Sequence, residues 1–254
     1  MSLIKSLNLS ASAFARYSRC PFSYRLHYID RLPADKQDQS KLTISKIVHF
    51  LGSQWAIKRQ TDDWERFAKK TIQESIHEIA PHRISYALEV IPDLLNRYID
   101  LLRRLDLANI SIEETYGSTF KLGIPITKYW SFTGAADLVI FNDKIGDRIY
   151  DAKWTWNPEG LNRTQINIYA AAHESILKRP ITKTGFICFG PQKIVEFRFD
   201  EVVKRETISL LDSTVQKILG CEFTPDPHYN KCLYCDFKGK CEHKLITYTE
   251  EEIS

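Results

Sequence analysis

Two apolar runs near the middle of the chain carry carboxylates into what must become sheet interior, and this limits the folds open to it. The runs read GAADLVIF at 134–141 and RIYDAKW at 148–154, with 13 residues between Asp137 and Asp151. In an extended strand residues i and i+2 point the same way, so Asp151 and Lys153 project together. A turn over 143–147, containing Gly146, lets the first run fold back and set Asp137 beside them. Unpaired carboxylates among apolar residues cost several kcal/mol, roughly, and a cation removes much of that cost. Oxygen ligands suit Mg²⁺ or Mn²⁺. Such an ion lowers the pKa of a coordinated water and stabilises charge on a phosphoryl oxygen. A neighbouring lysine completes the parts needed to hydrolyse a phosphodiester. Asp-x-Lys alone is a common tripeptide; the apolar flanks give it weight.

The rest of the chain supplies helices before this hairpin and a mixed pattern after it. Residues 11–29 read as two short helices meeting at Pro21, and 41–59, 63–79 and 85–106 carry apolar residues at helical spacing. Residues 110–121, 128–142 and 148–155 are β-rich; 161–177 return to helix; 184–190 and 193–199 read as strands, and 200–219 as a last helix. The expected class is α/β: a mixed central sheet flanked by helices, with a helical N-terminal part and a cysteine-rich C-terminal segment. No stretch approaches the 18 apolar residues of a membrane span. With no apolar leader at the N-terminus either, the chain is expected to be cytoplasmic and away from membranes.

Several other residues carry chemistry in this pattern. His49 lies on the 41–59 helix among Ser45, Gly52 and Ser53, a small-residue face that another element can approach closely. It reads as a metal ligand or as an ordinary polar-face histidine. Gln165 and Tyr169 are four apart on the helix after the Asp-x-Lys strand, and reach either substrate phosphates or the core. Residues 232–241 read CLYCDFKGKC, and a fourth cysteine, Cys20, stands in SRCPFSY. Four thiolates suit a [4Fe–4S] cluster or a structural zinc; three clustered plus one distant favours iron–sulfur. Cys188 reads as core. Residues 1–60 hold ten Lys or Arg against three acids, a footprint for a phosphate backbone or a solvated basic face. Trp154, Trp156 and Tyr17 are candidates for stacking on bases.

In order, Cys20, His49, Asp137, Asp151-x-Lys153, Gln165-x3-Tyr169, Cys232, Cys235 and Cys241 resemble the RecB-like branch of the PD-(D/E)XK nuclease superfamily. More narrowly, the chain is similar to iron–sulfur members such as the CRISPR-associated adaptation exonucleases and related repair exonucleases. The resemblance runs from about residue 9 to 243 and includes the opening SASAFARYSRCPFSYRLHYI. It implies a restriction-endonuclease-like fold with His49, Asp137 and Asp151 as metal ligands, and Lys153 as the catalytic lysine. It also implies Gln165 and Tyr169 near the substrate, and a [4Fe–4S] cluster on Cys20, Cys232, Cys235 and Cys241. Two positions depart from it: Ser45 where some members have Gly, and Asp151 where many have Glu.

The expectation is therefore one nuclease domain over 1–254. Residues 1–30 with 221–243 would form the iron–sulfur part, 31–108 a helical part and 109–220 the nuclease core. Its activity would be a Mg²⁺- or Mn²⁺-dependent DNA exonuclease on single-stranded ends, in CRISPR adaptation or in recombination and repair. An integrase or a helicase would be a fitting partner. The rival is a DNA-binding or assembly module with a structural cluster, acting mainly through a partner.

Overall fold

The computed structural model describes residues 7–35, 38–58, 64–121 and 129–245. In chain order its elements are β1 (Leu7–Ser10), α1 (Ala11–Arg19), α2 (Pro21–Tyr24), α3 (Ser40–Lys58), α4 (Trp64–Ser75), α5 (Ile84–Arg103), β2 (Ile110–Lys121), β3 (Tyr129–Ile140), β4 (Asp147–Lys153), α6 (Thr164–Leu177), β5 (Ile181–Cys188), β6 (Lys193–Arg198), α7 (Glu201–Leu219) and α8 (Tyr229–Leu233). They form two compact units. One comprises residues 1–37, 117–133 and 206–254; the other comprises 38–116 and 134–205. Among the described residues no helix is long and apolar enough to cross a membrane.

The second unit is a mixed sheet between helices. β3 and β4 form the expected antiparallel hairpin, in register Leu138 with Tyr150 and Ile140 with Arg148. β4 then pairs with β5 in parallel, and β5 with β6 antiparallel. Parallel neighbours need a crossover, and α6 supplies it. The largest cluster packs α3 (Ile44, Val48, Leu51) and α5 (Ile91, Leu94, Leu95) against Leu138, Ile140, Tyr150 and Ile187. The alternate residues Phe186 and Cys188 pack with Ile166 of α6 instead. Period-2 alternation thus assigns successive strand residues to opposite faces, one under α3 and α5, the other under α6. β5 begins three residues earlier than its apolar run, because Ile181 and its neighbours continue the ladder along β4 to Asp147. The helix expected over 63–79 ends at Ser75, followed by a 3₁₀ turn at Ile76–Glu78.

A buried polar knot pins α6 to this sheet. Asp147, fully buried at the start of β4, accepts from Arg179 Nε at 2.7 Å and Nη2 at 2.8 Å, and from the Asn142 backbone at 2.8 Å. His173 Nε2 of α6 lies 2.9 Å from the same carboxylate. Burial alone would raise the Asp147 carboxyl, but Arg179 and these hydrogen bonds hold it below the usual range. Replacing Asp147 with Ala strands the other members and should cost about 3–5 kcal/mol. A urea titration of the purified variant checks this. Because the folded-state carboxyl sits low, the contribution is present above the unfolded pKa of about 3.9 and fades as pH falls through the lower folded value.

The first unit gathers both ends of the chain. β1 runs parallel to residues 130–133 of β3. Ser10 caps α1 by accepting from the Ala13 backbone at 3.1 Å. Pro21 opens α2, where its missing N–H costs nothing, and a π-helical turn at Arg25–Ile29 continues it. Tyr17 is buried, and its hydroxyl donates to the Glu222 carbonyl at 2.6 Å. It is therefore a packing residue, which corrects its reading as a stacking surface for bases. Arg16 is likewise committed, to Asp236 at 2.6 Å, so part of the N-terminal basic surplus is neutralised within this unit.

Candidate active site

The hairpin places its charged groups where the ladder ends. One step beyond the Leu138–Tyr150 pair, Asp137 takes over as acceptor: its Oδ2 receives the Ala152 backbone N–H at 2.8 Å. Asp151 follows on β4 with 2% exposure. Lys153 Nζ stands 2.6 Å from Asp151 Oδ2. That oxygen is buried and makes no well-aligned hydrogen bond among the described residues, so the ammonium is an ionic partner. His49 Nε2 of α3 lies 3.6 Å from Asp137 Oδ2. On α6, Gln165 Nε2 donates to the Tyr169 hydroxyl at 3.0 Å. Tyr169 feels the charges of Asp137, Asp151 and Lys153, although burial is what chiefly raises its pKa.

The sequence reading missed Tyr98. This buried residue of α5 stacks on His49, ring centroids 6.4 Å apart and planes 29° from parallel. Burial, then the charges of Asp137 and Asp151, push its phenol upward. Gly52 makes the approach feasible: a Cβ there would lie 2.2 Å from the Tyr98 ring. The available signal was the small-residue face around His49, in which Gly52, three residues on, leaves room for a ring.

Electrostatics set the character of the site. Burial, then the Asp137 carboxylate, push Asp151 up to about 7. Burial would lower Lys153, but the Asp151 carboxylate outweighs it and holds the ammonium above its usual range. Two carboxylates thus share a poorly solvated corner with one ammonium, an arrangement a divalent cation would relieve. Adjacent ligands at about 2.1 Å from an octahedral ion stand about 3 Å apart, less than the 3.6 Å between His49 Nε2 and Asp137 Oδ2. Carboxylate oxygens are the ligands that hard cations such as Mg²⁺ and Mn²⁺ take. Among the described residues, however, no three His, Cys, Asp or Glu side chains converge as a ready-made ligand set.

Other candidates divide between the units. In the second unit the Asn162 side chain accepts from the Thr164 backbone N–H just ahead of α6, and Arg163 lies 4.7 Å over Phe197. Cys188 is core, as expected. In the first unit Cys20, Cys232, Cys235 and Cys241 line one pocket with Phe22, Leu26, Pro225 and Pro227. The Phe237 backbone N–H donates to Cys235 Sγ at 3.5 Å. Burial, then the thiols of Cys235, Cys20 and Cys232, raise Cys241 despite a backbone hydrogen bond from His243. The sixth cysteine, Cys221, is exposed.

No curated protein matches the sequence. Among solved structures, the chain is similar to the protein described as "Crystal structure of SSO0001", at 17% identity and a TM-score of 0.44, over 94% of this chain and 87% of that one. A family model for the PD-(D/E)XK nuclease superfamily matches residues 8–242, a span that includes His49, Asp137, Asp151, Lys153 and all four pocket cysteines. The chain therefore belongs to the PD-(D/E)XK nuclease superfamily, whose members are typically metal-dependent nucleases.

Proposed function

We propose that the chain is a Mg²⁺- or Mn²⁺-dependent deoxyribonuclease acting on single-stranded DNA ends, in CRISPR adaptation or in recombination and repair. The observation that carries this reading is the run of pairwise contacts at the end of the β3–β4 ladder, with Lys153 on Asp151, Asp137 on the Ala152 backbone and His49 beside Asp137. Asp137, Asp151 and His49 would hold the ion, which when bound supplies a nucleophile at neutral pH and a counter-charge for the phosphoryl group. Lys153, kept charged by Asp151, neutralises negative charge developing on the scissile phosphate. Asp137 fixes the backbone at Ala152 and so aims both of its neighbours. Gln165 and Tyr169, already hydrogen-bonded to each other, border the site from α6. The stacked Tyr98 orients the His49 imidazole.

The same proposal assigns Cys20, Cys232, Cys235 and Cys241 to a [4Fe–4S] cluster. Four thiols on one pocket, apolar neighbours and an N–H donated to Cys235 sulfur support it; such N–H donors are the levers that tune cluster thiolates. The cluster would brace the two ends of the chain without turning over. Integrase or helicase partners follow from the same resemblance.

End-labelled single-stranded DNA incubated with anaerobically purified protein and Mn²⁺ should be shortened. The Asp151→Ala variant should leave it intact. Broad absorbance near 400 nm, with iron and sulfide by analysis, should vanish in Cys232→Ala. Zinc in place of iron would overturn the cluster assignment, and cleavage by Asp151→Ala would overturn the catalytic one.

A further inference from the structure

Trp156 is a large apolar side chain held out in solvent by a loop built to keep it there. It is 65% exposed, on the loop that follows β4. An isolated exposed apolar residue needs no explanation, but this one has a cation fixed beside it. The Arg97 guanidinium of α5 lies 5.8 Å from the centroid of the Trp156 ring. Arg97 is not a free surface arm: it is held by Asp93 at 2.9 Å and 3.1 Å, and it donates to the Gly190 carbonyl at 2.7 Å.

The loop itself is tightly braced. The Thr155 hydroxyl accepts from the Asn157 backbone at 3.2 Å, and the Asn157 side chain accepts from Gly160 at 3.2 Å. The β5–β6 turn packs directly on it, since a Cβ at Gly190 would lie 2.5 Å from the Thr155 carbonyl oxygen. Just before it, half-buried Trp154 packs on the α3–α5 core, with Lys41 Nζ 5.4 Å over its ring. Two indoles, each with its own cation, therefore follow directly on Lys153.

We propose that Trp156 and Arg97 form a stacking platform for one nucleobase of a single-stranded DNA substrate, adjacent to the scissile phosphate. A nucleobase offers a π-face to the indole, and phosphates of the same strand offer charge to Lys41 beside Trp154; among common polymers only single-stranded nucleic acid pairs these two features at each repeat. Trp156 lies three residues beyond Lys153, so at most about 11 Å of chain separates them. The stacked base belongs to a nucleotide next to the one being cut. In a duplex that base is covered by its neighbours in the stack, so the platform favours unpaired ends. The inference rests on reading the site as a nuclease and names the strand feature it selects.

The test separates the two. Full-length protein carrying Asp151→Asn, kept in chelator so that nothing is cut, is titrated with labelled oligothymidylate and with a blunt duplex. Adding Trp156→Ala should weaken oligothymidylate binding about 5- to 150-fold. It should leave duplex binding unchanged, while Trp156→Phe should retain most of the affinity. Quenching of intrinsic tryptophan fluorescence by the oligonucleotide should shrink in Trp156→Phe. Unaltered thermal midpoints confirm that a surface change is being read. Equal affinities, equal losses on duplex and single strand, or Phe as poor as Ala would each overturn the platform. Cleavage by the parent protein without any dependence on Trp156 sinks the platform alone. A Trp156-dependent single-strand affinity in a protein that never cleaves sinks the nuclease reading alone.

Discussion

Replacing Asp151 with Asn should reduce hydrolysis on the order of 1,000-fold or more, and at the same time stabilise the protein in the absence of metal. The two effects share one cause. Asp151 is 2% exposed, faces another carboxylate and titrates at about 7. An unfolded aspartate titrates near 3.9, so the folded state resists ionising this group over roughly three pH units. For an acid raised in this way, folded-state stability is fully present at low pH and declines as pH rises from about 4 to about 7. At about pH 8 the whole penalty is in force, with a ceiling of about 4 kcal/mol. Asn removes this penalty, and because the raised pKa already includes the opposing attraction of Lys153 at 2.6 Å, the variant should be the more stable protein at pH 8, by less than that ceiling. Thermal melts in chelator between pH 4 and 9 should therefore fall with pH for the parent and stay flat for the variant. Added Mn²⁺ should raise the parent's midpoint at pH 8 and leave that of the variant nearly unchanged. Parallel melting curves, or retained activity, would refute the assignment of Asp151 as a buried ligand.

The second large effect is expected far from any charge. Gly52→Ala puts a Cβ within 2.2 Å and 2.3 Å of two atoms of the Tyr98 ring, inside the core cluster that α3 and α5 share. Overpacking of this kind costs about 1–3 kcal/mol and sometimes more. Because Tyr98 also stacks on His49, the displaced ring should misplace the imidazole. Activity should then fall even at temperatures where the variant is folded. The double variant Gly52→Ala with Tyr98→Leu should recover most of the stability, since the smaller side chain vacates the clash, but not the full activity. Denaturation curves and Mn²⁺-dependent cleavage rates on the same preparations measure both. A Gly52→Ala protein of normal stability and rate would show that the contact between these helices is incidental.

Much of the site could be read from the chain because its signals are local. Asp151 and Lys153 are two residues apart on one strand, and Asp137 is joined to them by a short turn. Gln165 and Tyr169 are one helical turn apart and bond each other. Tyr98 escaped notice because nothing within α5 distinguishes it from other buried aromatics; only its contact with Gly52 and His49, more than forty residues away, gives it a role. Tyr17 misled for the complementary reason: a tyrosine in a basic segment looks available until its hydroxyl is found on Glu222.

The sequence by itself determined the apolar runs of β3 and β4, the hairpin that joins them and the order in which acids, lysine and cysteines arrive. These follow from period and turn chemistry, which act over a few residues. Tertiary structure alone decided that β5 returns parallel beside β4, that α3 brings His49 to within 3.6 Å of Asp137, and that four thiols distributed over both ends of the chain line one pocket. Such contacts exist only after long loops have closed. The free energy that closes them comes from burying helix and sheet faces throughout each unit, which no short stretch of residues encodes.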